Sequence, residues 1–261
     1  MKLNLDVIIV TYNSAQNIAR CLSQLIGRSS NLAYDIYVVD NRSRDNTIEI
    51  VQTKFPDIHL IKNDRNVGFA AACNLVLRKS IACYSLLLNP DVEINPEQLQ
   101  SWVTFMDQHS EIGICGCRLK NSDLSLQTSC RRFPTLWAIF LRASGLSRVF
   151  PRDRRLRDYL MLDWDHIEPH EVDWVLGGCL LVRKEAYEQV GLLDDWFFLY
   201  YEDIDWCYRM KLASWKVYYF PEVEAMHEHQ RASARGIMNR ARWEHLRSLV
   251  RLFLKHRFPV L

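Results

Sequence analysis

The chain has 261 residues, of which 49% are hydrophobic and 25% are charged, and its formal net charge is only +2. This composition argues against a disordered protein and favours one large domain with or without an appendage. With so small a net charge, we expect no nucleic-acid partner.

The apolar runs and the cysteines limit the class of protein further. No run approaches the roughly 20 residues that a transmembrane helix needs, and residues 7–10 are too few for a signal-peptide core, so we expect a soluble or peripheral protein. The eight cysteines are scattered, and Cys115-x-Cys117 is too tight for usual zinc-ligand spacing. We interpret them as reduced thiols in a cytoplasmic protein.

Strand-like and helix-like segments alternate through the first half of the chain. The apolar runs LDVIIV, DIYVVD, IHLIKN and YSLLLNP are each followed by a segment with helical periodicity. Four such units in succession predict an α/β fold, with a doubly wound, mostly parallel sheet and helices on both faces. In sheets of this kind, ligands bind beyond the carboxyl ends of the strands.

Polar clusters end three of the four predicted strands. They are Thr11-Tyr12-Asn13, Asp40-Asn41 and Asn89-Pro90-Asp91. We expect all three to line one rim of the sheet. A carboxylate such as Asp40 can accept hydrogen bonds from a ribose or a base, although it is also a common turn former. Gly68, at the start of the third helix, either permits close approach of a ligand or simply makes a turn.

Glycine-rich phosphate loops are missing from the chain. TYNSAQNIA, after the first strand, contains no glycine, and no G-x-x-x-x-G-K-[ST] occurs. A diphosphate ligand would need another positive charge, which a divalent cation held by Asp91 supplies, because Mg²⁺ commonly takes only one or two protein carboxylates. Taken alone, Asn-Pro-Asp is also an ordinary turn.

Acidic and imidazole side chains mark the second half. After an irregular, arginine-rich stretch at 118–172 come strand-like VDWVLGGCLLV, helical KEAYEQVG, YYEDIDWCYRMKLA, strand-like WKVYYF and a short EVEAMHEH. Asp205 and Arg209, four residues apart, predict a surface ion pair. Glu202 and Asp203 start a helix in different directions, so one of them can face a cleft. One of the two histidines in MHEH can be a metal ligand and the other can face solvent.

The last 31 residues are strongly basic. Residues 231–261 hold eight Lys and Arg against one acid, Glu244, which gives +7. Apolar residues recur at helical spacing in this segment, namely Trp243, Leu246, Val250 and Phe253. Such a helix can lie on anionic lipid, or it can pack on the domain with a solvated basic face.

Six segments in combination resemble the inverting family 2 glycosyltransferases of GT-A fold, and the resemblance covers nearly the whole chain. The segments are VIIVTYNS, VVDNRSRDNT, NVGFAAACN, LLLNPDV, the long stretch from VDWVLGG to YYEDIDWCYR, and MHEHQRAS. Asn-Pro-Asp, QTSCRRFPTLW and VDWVLGG are most similar to bacterial dTDP-rhamnosyl transferases of O-antigen and cell-surface polysaccharide synthesis. The resemblance implies a GT-A domain at 1–230, with a nucleotide-binding half at 1–117 and an acceptor and catalytic half at 118–230. A basic amphipathic helical tail at 231–261 follows.

The same resemblance implies roles for single residues. Nucleotide binding falls to Thr11, Tyr12, Asn13, Asp40, Asn66, Gly68 and Asn89. Asp91 and His227 would bind the metal ion, Mg²⁺ or Mn²⁺, with His229 as the alternative to His227. Catalysis falls to Asp203, as the base, and its neighbour Glu202. Candidates for contact with the diphosphate or the acceptor are Arg131, Arg132, Trp174, Gly177 and Gly178. Asn89 replaces the first carboxylate of the family's D-x-D motif, whose last acid is Asp91.

The implied reaction transfers L-rhamnose from dTDP-L-rhamnose to a polyprenyl-diphosphate-linked glycan at the cytoplasmic membrane surface. Such a protein would be cytoplasmic and peripheral on the inner face of that membrane. Three alternatives stay open: a hexosyl- or galactofuranosyltransferase that uses a UDP-sugar, a non-catalytic nucleotide-sugar-binding assembly protein, and a Rossmann-type oxidoreductase, which the missing glycine fingerprint disfavours.

Overall fold

The computed structural model describes residues 4–26, 32–144, 146, 149–150, 152–228 and 240–256. The strands are β1 (Leu5–Thr11), β2 (Tyr34–Asp40), β3 (His59–Lys62), β4 (Tyr84–Leu88), β5 (Val92–Ile94), β6 (Ile112–Lys120), β7 (Leu126–Gln127), β8 (Cys130–Arg131), β9 (His170–Val172), β10 (Trp174–Val175), β11 (Cys179–Arg183) and β12 (Lys216–His227). The helices are α1 (Ile18–Ile26), α2 (Thr47–Lys54), α3 (Phe69–Leu77), α4 (Leu99–Gln108), α5 (Leu136–Ala143), α6 (Arg154–Tyr159), α7 (Lys184–Val190), α8 (Glu202–Leu212) and α9 (Arg240–His256).

One mixed sheet organises the fold, in the order β3-β2-β1-β4-β11-β6-β12-β5. The pairs among β3, β2, β1 and β4 are all parallel, as the alternating pattern predicts. The second half of the chain changes the direction, since β11 is antiparallel to both β4 and β6 while β12 runs parallel to β6. The carboxyl ends of β2, β1 and β4 therefore share one edge.

Two apolar layers hold the helices to the sheet. One contains Leu22 of α1, Val51 of α2 and Trp102 of α4, and the other contains Val76 of α3 and Trp206 of α8. Each of these side chains is at most 3% exposed. The prediction of helices on both faces is thereby confirmed.

Two strand predictions in the second half are corrected. VDWVLGGCLLV is not continuous, because it breaks at residues 176–178 between β10 and β11. WKVYYF and EVEAMHEH are not separate elements but one strand, β12, with an irregular register between Phe220 and Glu224. Pro221 lies in that irregularity, where its missing N–H costs no regular ladder bond.

The predicted surface ion pair of Asp205 and Arg209 exists, but it is not on the surface. Asp205 is fully buried, and its carboxylate also receives Lys255 Nζ at 2.7 Å and His256 Nε2 at 2.6 Å. Both of these partners come from α9. Because α9 is far from Asp205 in the sequence, the local pattern around Asp205 could not predict these contacts. The helix predicted in the tail is therefore packed against the rest of the protein at α8.

Several other expectations have simple outcomes. All eight cysteines lie within the described ranges and are free thiols. Among the helices that the structure describes, none combines the length and apolar character needed to cross a bilayer. His229 and the proposed boundary at residues 230 and 231 lie outside the described residues.

Candidate active site

The three polar clusters lie at one edge of the sheet, as predicted from their positions after the strands. Thr11 of β1 is directly opposite Asp40 of β2, and the Asn-Pro-Asp turn follows β4, which pairs with β1 on its other side. A cavity of about 320 Å³ opens above this edge. It is lined in part by Thr11, Tyr12, Asn13, Asn66, Gly68, Asn89 and Asp91. We call it the donor cavity.

Asp40 takes a different position from the other nucleotide-binding candidates. It is fully buried, and its carboxylate accepts hydrogen bonds from Thr11 Oγ1 at 2.9 Å and from the Ser43 amide at 2.8 Å. Its neighbour Asn41 lines the donor cavity instead and donates from Nδ2 to the Gly68 carbonyl at 3.1 Å. Asp40 thus fixes the floor of the cavity, and its contact with a pyrimidine stays a prediction.

Gly68 is required by close backbone approach. Its φ is +89°, and a Cβ at this position would lie 2.4 Å from the carbonyl oxygen of Phe198. The next amide, Phe69 N, donates to that same carbonyl at 3.0 Å. The start of α3 is therefore joined to the segment that leads into α8, and Gly68 is needed here for the approach of the protein's own backbone; its contact with a ligand stays a prediction.

The Asn-Pro-Asp turn is fixed by backbone hydrogen bonds from two other elements. The amide of Asn89 donates to the Gly178 carbonyl at 2.8 Å, and the amide of Glu228 donates to the Asp91 carbonyl at 3.0 Å. The first bond brings the glycine break after β10 to the turn. The second brings the end of β12, with His227, beside Asp91.

Asp91 and His227 form the candidate metal centre. Nε2 of His227 lies 3.5 Å from Oδ1 of Asp91, and Nδ1 lies 2.8 Å from Oε1 of Gln127. Because the Gln127 oxygen can only accept, it selects the tautomer with the proton on Nδ1 and leaves the lone pair of Nε2 towards Asp91. A carboxylate and an oriented imidazole fit a divalent cation such as Mg²⁺ or Mn²⁺.

Within the described part of the chain, Asp91 and His227 alone would not complete the coordination shell of such a cation. Within the described ranges, no group of three or more His, Cys, Asp and Glu side chains could hold a metal. This is consistent with a cation that shares its shell with phosphate oxygens and water. His229, the alternative ligand, lies outside the described residues.

A second cavity, of about 680 Å³, adjoins the donor cavity. The two share Phe69, Asn89 and Leu199 as lining residues. The larger one also contains Glu202, Asp203, Arg131, Trp174, Gly177, Gly178 and His227. We call it the acceptor cavity. The sequence candidates from the two halves of the chain therefore meet at the junction of the cavities.

The two carboxylates at the start of α8 have different surroundings. Asp203 Oδ2 accepts from the Gly177 amide at 2.9 Å, and Oδ1 accepts from the Ile204 amide at 2.9 Å. Glu202 is 6% exposed, and its Oε2 has no hydrogen-bond partner among the described residues. Burial, together with the charge of Asp203, raises the pKa of Glu202 well above its usual range.

Burial also raises the pKa of Asp203, but the amide bonds and the charge of Arg131 oppose that shift. Because Glu202 lacks comparable support, its pKa is raised further than that of Asp203, so a proton shared by the pair favours Glu202. Asp203 is thus the carboxylate of the pair better suited to accept a proton.

A strained turn presents this pair to the cavity. Tyr200 and Tyr201 have φ values of +67° and +68°, in the left-handed region that non-glycine residues rarely adopt. Such conformations cost roughly 1 to 3 kcal/mol each and persist where surrounding contacts enforce them, often at functional sites. The turn directs the first residues of α8 into the acceptor cavity.

The adjacent arginines Arg131 and Arg132 are separated by the structure. Arg131 lines the acceptor cavity, with its guanidinium 5.2 Å from the centre of the Trp174 ring and 5.8 Å from that of Tyr159. Arg132 faces Asp173, with 3.6 Å between Nη1 and Oδ1, and its side chain is 42% exposed. Of these two candidates, only Arg131 stands beside Asp203.

Sequence reasoning missed several residues around the site. Gln127 orients His227, the ring of Tyr159 lies beside both Arg131 and Arg142, and His245 of α9 lines the acceptor cavity. No local motif marks any of them, because each reaches the site only through a distant strand or helix.

Residues 6–191 match the sequence model of glycosyl transferase family 2. The match covers well over half of the chain, which therefore belongs to this family. The chain is 27% identical over 244 residues to the N-acetylglucosaminyl-diphospho-decaprenol L-rhamnosyltransferase of Mycobacterium tuberculosis, with 88% of this chain and 78% of that protein covered. It is 29% identical over 229 residues to the low-salt glycan biosynthesis hexosyltransferase Agl10 of Haloferax volcanii, with coverage of 86% and 67%. Two further bacterial rhamnosyltransferases match at 27% and 26% identity.

The fold is that of solved glycosyltransferases. The mannosyltransferase PcManGT of Pyrobaculum calidifontis, solved with GDP-Man and Mn²⁺, superposes with a TM-score of 0.66 at 18% identity. The alignment covers 98% of this chain but only 64% of PcManGT, so the chain spans less than two thirds of that protein. The predicted GT-A fold is confirmed.

Proposed function

We propose that this protein is a metal-dependent inverting glycosyltransferase that transfers L-rhamnose from dTDP-L-rhamnose to a hydroxyl group of a lipid-linked glycan in cell-surface polysaccharide synthesis. The observation that carries the proposal is the pair of adjacent glycines that line the acceptor cavity between Asp203 and His227. A Cβ on Gly177 would lie 3.4 Å from Oδ2 of Asp203, and a Cβ on Gly178 would lie 3.4 Å from Cε1 of His227. Base and metal ligand thus flank one short backbone segment.

This arrangement suits a sugar bound between the two cavities. Asp203 removes the proton of an acceptor hydroxyl while the hydroxyl oxygen forms a bond to the anomeric carbon. The bond from that carbon to the diphosphate oxygen breaks, and its electron pair leaves with the diphosphate. Attack from the face opposite the leaving group would invert the anomeric centre.

The diphosphate would be held by residues of the donor cavity. Asp91 and His227 would hold a Mg²⁺ or Mn²⁺ ion, which when bound neutralises charge on the leaving diphosphate. Thr11, Tyr12 and Asn13 would contact the nucleotide. Arg131 contributes a fixed positive charge at the reacting end of the acceptor cavity.

The choice of donor and acceptor rests on the relatives. The M. tuberculosis relative is named for an L-rhamnosyl transfer to a decaprenol-diphosphate-linked sugar. An acceptor of that kind would place the protein at the cytoplasmic membrane surface. A UDP-hexose is the alternative donor, since the H. volcanii relative is named a hexosyltransferase.

The experiment that tests the proposal measures nucleotide release from a panel of dTDP- and UDP-sugars in the presence of Mn²⁺ or Mg²⁺. Farnesyl-diphospho-N-acetylglucosamine serves as the acceptor probe, and thermal shift without acceptor reports donor binding. Acceptor-dependent release confined to dTDP-L-rhamnose supports the full proposal.

The other outcomes separate the alternatives. Release from a UDP-hexose retains the mechanism and replaces the donor. Thermal stabilisation by a nucleotide sugar without release from any acceptor would favour a non-catalytic binding protein. Stabilisation by NAD(P) alone would favour an oxidoreductase.

A further inference from the structure

Helix α9 packs against the protein through a mostly polar seam. Four residues at four-residue spacing form this seam, namely Glu244, Ser248, Leu252 and His256. The exposed fraction of each side chain is 11% or less. Ser248 Oγ donates to the Leu199 carbonyl at 2.9 Å, and His256 contacts the buried Asp205. The helix is therefore held by hydrogen bonds and ion pairs as much as by apolar burial.

The apolar face of the same helix is left outside. Trp243, Leu246, Val250 and Leu254 are 55%, 51%, 50% and 70% exposed. Their spacing of three and four residues places them on one stripe, opposite the polar seam. Of the four apolar residues that the sequence pattern grouped together, Phe253 alone packs against the core. A soluble helix normally buries its apolar stripe, so this orientation calls for an apolar partner.

A second helix that lines the acceptor cavity, α5, also carries exposed apolar side chains. Leu136, Trp137 and Phe140 of α5 are 39%, 38% and 52% exposed. Ile139 and Arg142 of α5 line the same cavity as Trp243 and Leu246 of α9. We call the exposed apolar residues of α5 and α9, namely Leu136, Trp137, Phe140, Trp243, Leu246, Val250 and Leu254, the α5–α9 surface.

Positive charge accompanies the α5–α9 surface. Arg247 lies beside the stripe, four residues after Trp243; its side chain is 59% exposed, and its Nη1 lies 3.2 Å from Oε1 of Glu244. Arg154 and Arg155 are exposed on α6, next to α5. Apolar and aromatic side chains interleaved with arginine match an anionic bilayer, where rings enter the headgroup boundary and cations meet lipid phosphates.

We infer that the α5–α9 surface seats on an anionic lipid bilayer and thereby turns the mouth of the acceptor cavity towards the membrane. The inference deepens the proposed function, because it names the surface through which a lipid-linked acceptor would reach Asp203. It also accounts for the polar seam of α9: ion pairs hold the helix in place while its apolar stripe stays available for lipid.

The test uses the full chain and vesicles without any acceptor, so that membrane binding is measured apart from glycosyl transfer. Flotation with vesicles of phosphatidylglycerol and phosphatidylcholine is compared for the wild type and a Val250→Gln, Leu254→Gln double variant. Neither of these residues lines a cavity among those described. We expect partitioning of the variant to fall about tenfold or more, since interfacial binding scales with buried apolar area. Its thermal shift with nucleotide sugar is expected to match that of the wild type.

Two controls sharpen the result. The Ile81→Gln, Leu212→Gln double variant removes two side chains of similar exposure, 76% and 68%, outside the α5–α9 surface, and it is expected to float like the wild type. Tryptophan fluorescence is expected to be quenched by brominated phospholipid, and Trp243→Phe is expected to remove a measurable part of that quenching.

Three results would overturn the inference. The wild type could fail to float, or the Val250→Gln, Leu254→Gln variant could float as well as the wild type. Alternatively, the wild type could be a dimer in solution that this variant converts to a monomer, which would assign the surface to a second copy of the chain. Donor binding without vesicles is recorded in each case, so failure of membrane binding and failure of the proposed function are distinguished.

Discussion

The backbone amide of Gly177 donates a hydrogen bond of 2.9 Å to Oδ2 of Asp203. The bond holds one carboxylate oxygen in place and favours its charged form, although burial alone would favour the neutral form. It also ties the break between β10 and β11 to the first turn of α8. The geometry of the candidate base therefore depends on a residue without a side chain.

Replacing Asp203 with Asn should reduce turnover by about 10²- to 10⁴-fold, which is the usual contribution of general-base catalysis. Nucleotide affinity should be nearly unchanged, because the donor cavity is built by other strands. Glu202→Gln is the matched comparison: since burial raises the pKa of Glu202 well above its usual range, the substitution should cost much less turnover. Equal losses for the two variants, measured by acceptor-dependent nucleotide release, would contradict the assignment of the base.

The pH profile should report the charge of Arg131. In the proposed mechanism activity requires ionised Asp203, whose pKa burial raises, so kcat/KM should fall on the acid side through a pKa above the usual aspartate value. Arg131→Gln removes a charge that opposes this rise, and the acid limb should move to higher pH. Arg132→Gln is the control, since Arg132 faces Asp173. An acid limb that stays in place in Arg131→Gln would show that the guanidinium does not tune Asp203.

Metal-dependent donor binding should depend on Asp91 and on the orientation of His227. In Asp91→Ala and in His227→Ala, the thermal shift produced by nucleotide sugar with Mn²⁺ should shrink to that seen with chelator. Gln127→Leu leaves both ligands but removes the acceptor that fixes the imidazole tautomer, and should weaken Mn²⁺ binding by about 10- to 100-fold. Equal donor affinity of the wild type with and without metal would refute the metal centre.

Asp205 should stabilise the folded protein at neutral pH but not in acid. Burial by itself would raise its pKa, yet the bond from His256 and the charges of Arg209 and Lys255 lower it below the ordinary value. A depressed folded-state pKa contributes stability above the unfolded-state pKa, and this contribution is lost as the pH falls through the folded-state value. The unfolding free energy should accordingly drop at pH below about 4.

Asp205→Asn should lower the unfolding free energy at pH 7 by about 3 kcal/mol, because it leaves the buried ends of Arg209 and Lys255 without their carboxylate. The variant should also lose the part of the acid dependence that Asp205 supplies. Chemical denaturation between pH 3 and pH 7 measures both effects. Asp195→Asn, at an exposed position in the preceding loop, is the control. An Asp205→Asn variant as stable as this control would show that the cluster contributes nothing to the attachment of α9.

The first half of the chain could be predicted well because its signals are local. Each apolar run followed by a helical pattern defines a strand and a helix, and the polar residues after the runs must then fall at the carboxyl edge of the parallel sheet. Thr11, Asp40 and Asp91 were placed at this edge by sequence alone. The family resemblance located Asp203 and His227 as candidates, without their distances to Asp91.

Contacts between distant segments needed the tertiary structure. The side chain of Asp205 appeared to belong to the surface because its partners Lys255 and His256 lie some 50 residues away. Arg131 and Arg132 are equivalent in sequence, but pairing of β8 with β10 directs only Arg131 towards Asp203. The apolar periodicity of α9 grouped Trp243, Leu246 and Val250 correctly, but it also included Phe253, which the structure packs against the core. That the remaining apolar face lies outside became visible only in the folded chain. Strands and helices could be predicted because they depend on local backbone periodicity. Burial and ion pairing depend on which side chains from distant segments lie next to each other, and only the tertiary structure determines those contacts.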